Sequence, residues 1–140
     1  MKKYKIGYTQ GVYDMFHVGH LNLLNHAKEK CEYLVVGVNA DKLVEEYKKK
    51  TPIISEKDRC YIVQNIKSVD RAVIVYTLDK LAALERFKFD VIFIGDDWKG
   101  NLRWIQTEKQ LNDKGVDVVF LPHTDGVSST ELRIKGRMTL

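Results

Sequence analysis

Two histidines, His17 and His20, stand three residues apart in the run Gly11-Val12-Tyr13-Asp14-Met15-Phe16-His17-Val18-Gly19-His20. That spacing puts both imidazoles on one face where the chain turns into a helix. The first turn of a helix adds free N–H groups and the positive end of the helix dipole. Gly11 and Gly19 permit positive φ or a close backbone approach at either end of the segment. Imidazole and N–H donors converging on one point suit a triphosphate under attack at its α-phosphorus. Such a reaction asks the protein to position the reactants and to stabilise charge on the oxygens, and it needs no protein nucleophile. One histidine beside a helix start is ordinarily a cap or a core group. Two of the chain's four within four positions, after a strand and flanked by glycines, is a sharper signal.

The elements that must hold these groups alternate in kind. Short β-branched and aromatic runs at Tyr4–Thr9, Tyr33–Val38, Ala72–Tyr76, Val91–Ile94 and Val116–Leu121 read as five strands. Their nearly continuous apolar character predicts burial on both faces. Between them, apolar residues recur at helical spacing over His20–Lys30, Ser55–Ser68 and Leu78–Lys88, with a more polar helix at Trp104–Lys114 and a last one at Glu131–Gly136. The alternation predicts one α/β domain over residues 1–140, a five-stranded parallel sheet with helices on both faces. Ligands of such sheets bind beyond the C-terminal ends of the strands.

Three further strand ends carry candidate chemistry. After the second strand come Asn39, Ala40 and Asp41, then a polar connection with Lys48, Lys49 and Lys50. A lysine there is a point charge on a flexible stem that can reach reacting phosphates, or it is part of a solvated basic face. Ser55 with Asp58 reads as a helix cap, and Arg59 is free to pair with Glu56 or Asp58. After the fourth strand, Gly95-Asp96-Asp97-Trp98 sets two carboxylates and a large aromatic in a short loop. They suit ribose hydroxyls or a metal, or simply a turn. After the fifth, His123-Thr124-Asp125-Gly126-Val127-Ser128-Ser129-Thr130 leads into the last helix. Ser128 and Glu131 fit a capping box. Ser129, Thr130 and their N–H groups would form a second anion site, with Gly126 giving close approach.

The pattern Gly-x-Tyr-Asp-x-x-His-x-Gly-His over residues 11–20 resembles that of the cytidylyltransferase-like nucleotidyltransferases. The resemblance runs from about Lys3 to Lys135, and Gly95-Asp-Asp-Trp98 is typical of the glycerol-phosphate branch. It implies a Rossmann-like sheet, transfer of CMP from CTP to a small phosphorylated alcohol, Mg²⁺ carried by the nucleotide and a homodimer. It implies His17, His20 and Lys50 as catalytic residues. Nucleotide contacts would come from Gly11, Val12, Tyr13, Asp14, Gly19, Asp97, His123, Thr124, Gly126, Val127, Ser128, Ser129 and Thr130. Asp41, Lys48, Arg59 and Trp98 fall to the acceptor. No protein metal ligand is implied. Two positions depart from the pattern: Lys67 and His123 stand where the family has arginines, and lysine lacks the bidentate fork that fits phosphate. Arg103 and Arg133 are candidate replacements. Relatives with the same histidine segment act on choline or ethanolamine phosphate, or adenylylate sugar phosphates or flavin mononucleotide. A nucleotide-binding regulatory domain without activity is a further reading.

Composition narrows the setting. With 44% hydrophobic and 30% charged residues the chain is ordinary globular protein. Net charge +4 and a pI near 9.0 fit an anionic ligand but are too mild and dispersed for nucleic acid. Cys31 and Cys60 form no CxxC pair, which argues against a zinc site or disulfide framework and for a reducing cytoplasm. No apolar run reaches the roughly 18 residues of a membrane helix, and no signal-peptide core follows the N-terminus.

Overall fold

The computed structural model describes residues 2–95 and 100–122. Five strands, β1 (Tyr4–Gly11), β2 (Cys31–Asn39), β3 (Arg71–Val75), β4 (Val91–Gly95) and β5 (Asp117–Leu121), form one sheet in the order β3-β2-β1-β4-β5. Every pairing is parallel. The helices are α1 (Val18–Lys30), α2 (Asp41–Lys48), α3 (Glu56–Gln64), α4 (Lys80–Phe87) and α5 (Leu102–Asp113). All five expected strands are present. The helix α2 falls where the sequence reads as a polar connection, and α3 stops at Gln64 rather than Ser68. The lysines Lys48 to Lys50 that obscured α2 lie at its solvated end, where they add charge without changing the pattern of Leu43 and Val44, which are buried.

The chain winds outward from β1 to β3, then crosses back to β4 on the other side of β1. Right-handed crossovers in two directions put helices on opposite faces of the sheet. Alternate strand residues accordingly feed two cores. Leu34, Val36, Val38, Val91 and Phe93 pack with Leu24 and Ala27 of α1 and Val63 of α3. Tyr8, Val35, Val75, Ile92 and Ile94 pack with Ala83 and Phe87 of α4 and Leu111 of α5. The order reverses between β1 and β4, where a crevice opens in doubly wound sheets. Their pairing spans only Gly7 with Val91 and Tyr8 with Ile92. Beyond it the Thr9 hydroxyl donates to the Phe93 carbonyl at 2.9 Å.

Tyr8 shows how closely the second core is filled. Its ring stacks on Phe87 and Phe89 at centroid distances of 5.2 and 4.9 Å. Its hydroxyl donates to Gln10 Oε1 at 2.6 Å. A Cβ on Gly37 would overlap that hydroxyl. Gly37→Ala is therefore expected to cost about 1–3 kcal/mol, the usual penalty of overpacking. Urea denaturation measures it, and Tyr8→Phe in the same chain should recover part of the loss; full wild-type stability of Gly37→Ala would contradict this packing.

Candidate active site at the strand ends

The β1–α1 turn is built by its own side chains. His17 is the N-cap of α1, and its Nδ1 accepts from the Gly19 N–H at 3.0 Å. In return the His17 N–H donates to His20 Nδ1 at 3.2 Å. This is a capping box in which two histidines take the places usual for Ser and Glu. The rings lie 3.9 Å apart and 26° from parallel. Tyr13 and Phe16 hold His20 from its other sides, at 5.4 and 5.3 Å between centroids.

This geometry decides the protonation state. A ring nitrogen that accepts a hydrogen bond carries no proton, so each neutral imidazole keeps its proton on Nε2. Burial pushes the His17 pKa below its ordinary value. Burial, followed by the neighbouring His17, lowers that of His20 to about 4, against a smaller opposing pull from Asp14. At neutral pH both rings are neutral Nε2–H donors. One of the first-turn N–H groups, that of Gly19, is taken by the cap. Stability should fall as pH drops from 6.5 towards 4, because the unfolded chain binds a proton at His20 that the folded chain refuses. Comparing urea midpoints at pH 7 and 5 tests this. A His20→Asn variant should lose part of the difference, and ¹⁵N spectra should report the Nε2–H tautomer.

Neither glycine of the segment uses positive φ. Gly11 ends β1 and Gly19 lies inside α1. A Cβ on Gly11 would stand 3.2 Å from the Tyr13 ring, so the close approach it permits is that of Tyr13. The left-handed positions are Tyr13 at φ 56° and Met15 at φ 49°. Each costs about 1–2 kcal/mol for a residue with a side chain. Asp14, buried between them, offsets the strain: its carboxylate accepts the N–H groups of Ile53 and Ile54, both at 2.9 Å. The turn is thereby tied to the segment ahead of α3.

Arg59 organises the rest. Its side chain is 0% exposed. Nε donates to the Ile54 carbonyl at 2.8 Å, and Nη1 donates to those of Val12 at 2.7 Å and Asn39 at 2.8 Å. Nη2 meets Asp41 Oδ1 at 2.6 Å. Asp41 also accepts from the Glu56 N–H, while its own N–H donates to Glu56 Oε1. The pairing with Glu56 or Asp58 suggested by the sequence gives way to one with Asp41. An enclosed guanidinium aimed at three loops holds them in place, and the pairing expected with its helix neighbours is replaced by one with Asp41. The reason is burial, which local sequence does not report.

Lys48 closes α2 with its Nζ 5.8 Å from the Tyr47 ring centroid. Lys50 follows Lys49, which holds φ 59°, and is exposed with no partner among the described residues. Lys67 is exposed beyond the end of α3. Asp97, Trp98, His123, Thr124, Gly126, Val127, Ser128, Ser129 and Thr130 lie outside the described residues. Sequence reasoning missed Gln10 and Tyr47, and named Asn39 without a role. Gln10 Nε2 donates to Asn39 Oδ1 at 2.8 Å and to the Thr77 carbonyl at 3.0 Å, and Asn39 Nδ2 donates to Tyr47 Oη at 3.0 Å. These bonds lock the ends of β1, β2 and β3 together. The available signal was a polar residue closing an otherwise apolar strand.

A model of the cytidylyltransferase-like family matches residues 8–135. The chain belongs to that family. It is thus a nucleotidyltransferase, and the histidine pair lies at the strand ends where its fold places ligands. The chain is similar to a glycerol-3-phosphate cytidylyltransferase of Bacillus spizizenii, 32% identical over 126 residues, with 89% of this chain and 92% of that one covered. It is also similar to an FAD synthase of Korarchaeum cryptofilum, 35% identical over 125 residues, covering 87% and 84%. Among solved structures, a lipopolysaccharide core biosynthesis protein from Thermoplasma volcanium superposes with a TM-score of 0.71 at 26% identity, covering 86% of this chain and 97% of that one. No described helix is long and apolar enough to cross a membrane.

Proposed function

We propose that the protein transfers CMP from CTP to a small phosphorylated alcohol, with glycerol 3-phosphate the first acceptor to test. A phosphate oxygen of the acceptor attacks the α-phosphorus in line. The bond from that phosphorus to the β-phosphate bridging oxygen breaks, and CDP-alcohol and pyrophosphate leave. The observation that carries nucleotidyl transfer is the His17–His20 pair, stacked at 3.9 Å with both Nδ1 atoms engaged by backbone N–H groups; CTP and glycerol 3-phosphate are supported by the similarity to the Bacillus spizizenii cytidylyltransferase. Two neutral Nε2–H donors bind phosphate oxygens and steady the departing pyrophosphate without giving up a proton. Lys50, exposed after α2, supplies a mobile positive charge. The proposal leaves Mg²⁺ on the triphosphate oxygens. Among the described residues no three His, Cys, Asp or Glu side chains are grouped as metal ligands. A homodimer, as the resemblance implies, is part of the proposal and is read by sedimentation.

The similarity to an FAD synthase supports a second reading, with ATP as donor. A matrix of CTP, ATP, UTP and GTP against phosphorylated polyols and amino alcohols separates the two. Pyrophosphate released with CTP and not ATP supports the first. Release with ATP alone supports the second, and nucleotide binding without release from any pair favours a regulatory domain.

A further inference from the structure

Gln10, Asn39 and Tyr47 form a chain of hydrogen bonds whose directions are all set from one end. The Thr77 carbonyl can only accept, so the Gln10 atom 3.0 Å from it is the nitrogen. Gln10 Oε1 then faces the Tyr8 hydroxyl, which donates to it at 2.6 Å. The same Gln10 nitrogen lies 2.8 Å from Asn39, so the Asn39 atom there is the amide oxygen. Asn39 is 3% exposed, and its amide nitrogen is left to donate to Tyr47 Oη at 3.0 Å. Within this chain Tyr47 Oη is an acceptor. Its own proton is directed away from Asn39 and meets no acceptor among the described residues. Burial raises the Tyr47 pKa, against smaller pulls from the Asn39 hydrogen bond and from Arg59, so the hydroxyl keeps that proton at neutral pH.

The surroundings of this donor favour an anion. Tyr47 lies in the last turn of α2, the helix that follows the C-terminal end of β2. That is the pole at which such sheets bind ligands. Lys48 Nζ stands 5.8 Å from the Tyr47 ring centroid. Arg59 ties this corner to the histidine segment, because one atom, Nη1, donates to the carbonyls of both Val12 and Asn39, at 2.7 and 2.8 Å. An O–H donor beside an ammonium suits an oxygen anion, which accepts from both.

Resting on the transfer reaction above, we propose that the Tyr47 hydroxyl donates to a phosphate oxygen of a bound substrate, on the nucleotide or on the acceptor. The amides of Gln10 and Asn39 aim its proton before a ligand arrives.

Tyr47→Phe removes the hydroxyl and keeps the ring. The variant should stay folded at the assay temperature. With CTP and glycerol 3-phosphate its kcat/KM for pyrophosphate release should fall about tenfold or more, the scale of one hydrogen bond to a charged oxygen. Independently of turnover, protein labelled with 3-fluorotyrosine gives a ¹⁹F resonance for Tyr47, identified by its loss in Tyr47→Phe. That resonance should move on adding CTP or glycerol 3-phosphate, and the ligand that moves it names the source of the phosphate. Cytidine and glycerol, which carry no phosphate, should leave it in place. A folded Tyr47→Phe with wild-type kcat/KM for both substrates overturns the proposal. So does a resonance indifferent to both phosphorylated ligands, or one moved equally by cytidine or glycerol. If CTP or glycerol 3-phosphate alone moves the resonance but no nucleotide and acceptor pair releases pyrophosphate, phosphate recognition by Tyr47 is upheld and the transferase reading fails.

Discussion

Replacing His20 with alanine should lower turnover by roughly 10²-fold or more, the range for loss of one donor aimed at developing oxyanion charge. His17→Ala should do the same. The expectation follows from how the rings are held. Each Nδ1 is fixed by a backbone N–H, so each Nε2–H is aimed before any ligand arrives. Because the rings are neutral donors, the rate should not follow histidine protonation between pH 6 and 8, and kcat should fall more than KM rises. Each substitution also removes half of the capping box, worth about 1 kcal/mol, so stability is measured alongside. A variant that is folded at the assay temperature and still turns over near the wild-type rate would remove the pair from the mechanism. A rate that tracked a group titrating near 6.5 would contradict their neutral state.

Arg59→Met should destabilise the protein more than any other single change considered. It strands the Val12, Asn39 and Ile54 carbonyls and leaves Asp41 without its cation. Leaving three inward-facing carbonyls unpaired costs about 1–3 kcal/mol each, which for a chain of this size lowers Tm by about 10 °C or more. Arg59→Lys should restore only part of this, since an ammonium cannot serve three separated carbonyls and a carboxylate from one planar fork. Thermal and urea denaturation give the size of the effect. The alternative role, direct contact with the acceptor, predicts a different pattern: normal Tm with a raised acceptor KM. That pattern in Arg59→Lys would return Arg59 to the acceptor site.

The two readings of Arg59 show where sequence and structure part. Residue 59 stands in a run of charged residues, Glu56-Lys57-Asp58-Arg59, that looks like a solvated helix face. Only the packing of α3 on the sheet reveals that this one side chain points inward while Lys57 and Asp58 stay exposed. Asp14 is similar. Its place in the motif suggests a nucleotide contact, but not that its carboxylate accepts from Ile53 and Ile54, some forty residues away. In both cases the partner is distant in the chain, and one-dimensional pattern carries no distance.

What the sequence determined by itself is the set of local choices. Apolar runs of strand length, helical spacing between them and turn residues at their junctions dictate an alternating α/β chain, because burial and backbone hydrogen bonding are satisfied locally. The three-residue spacing of His17 and His20 likewise dictates that the pair meets at a helix start, since an α-helix has one pitch. The tertiary structure decided the rest: the winding order β3-β2-β1-β4-β5, the histidine tautomers, and the burial of Arg59 and Asp14. Each depends on which distant segments pack together, and hydrogen-bond partners and desolvation exist only once they do.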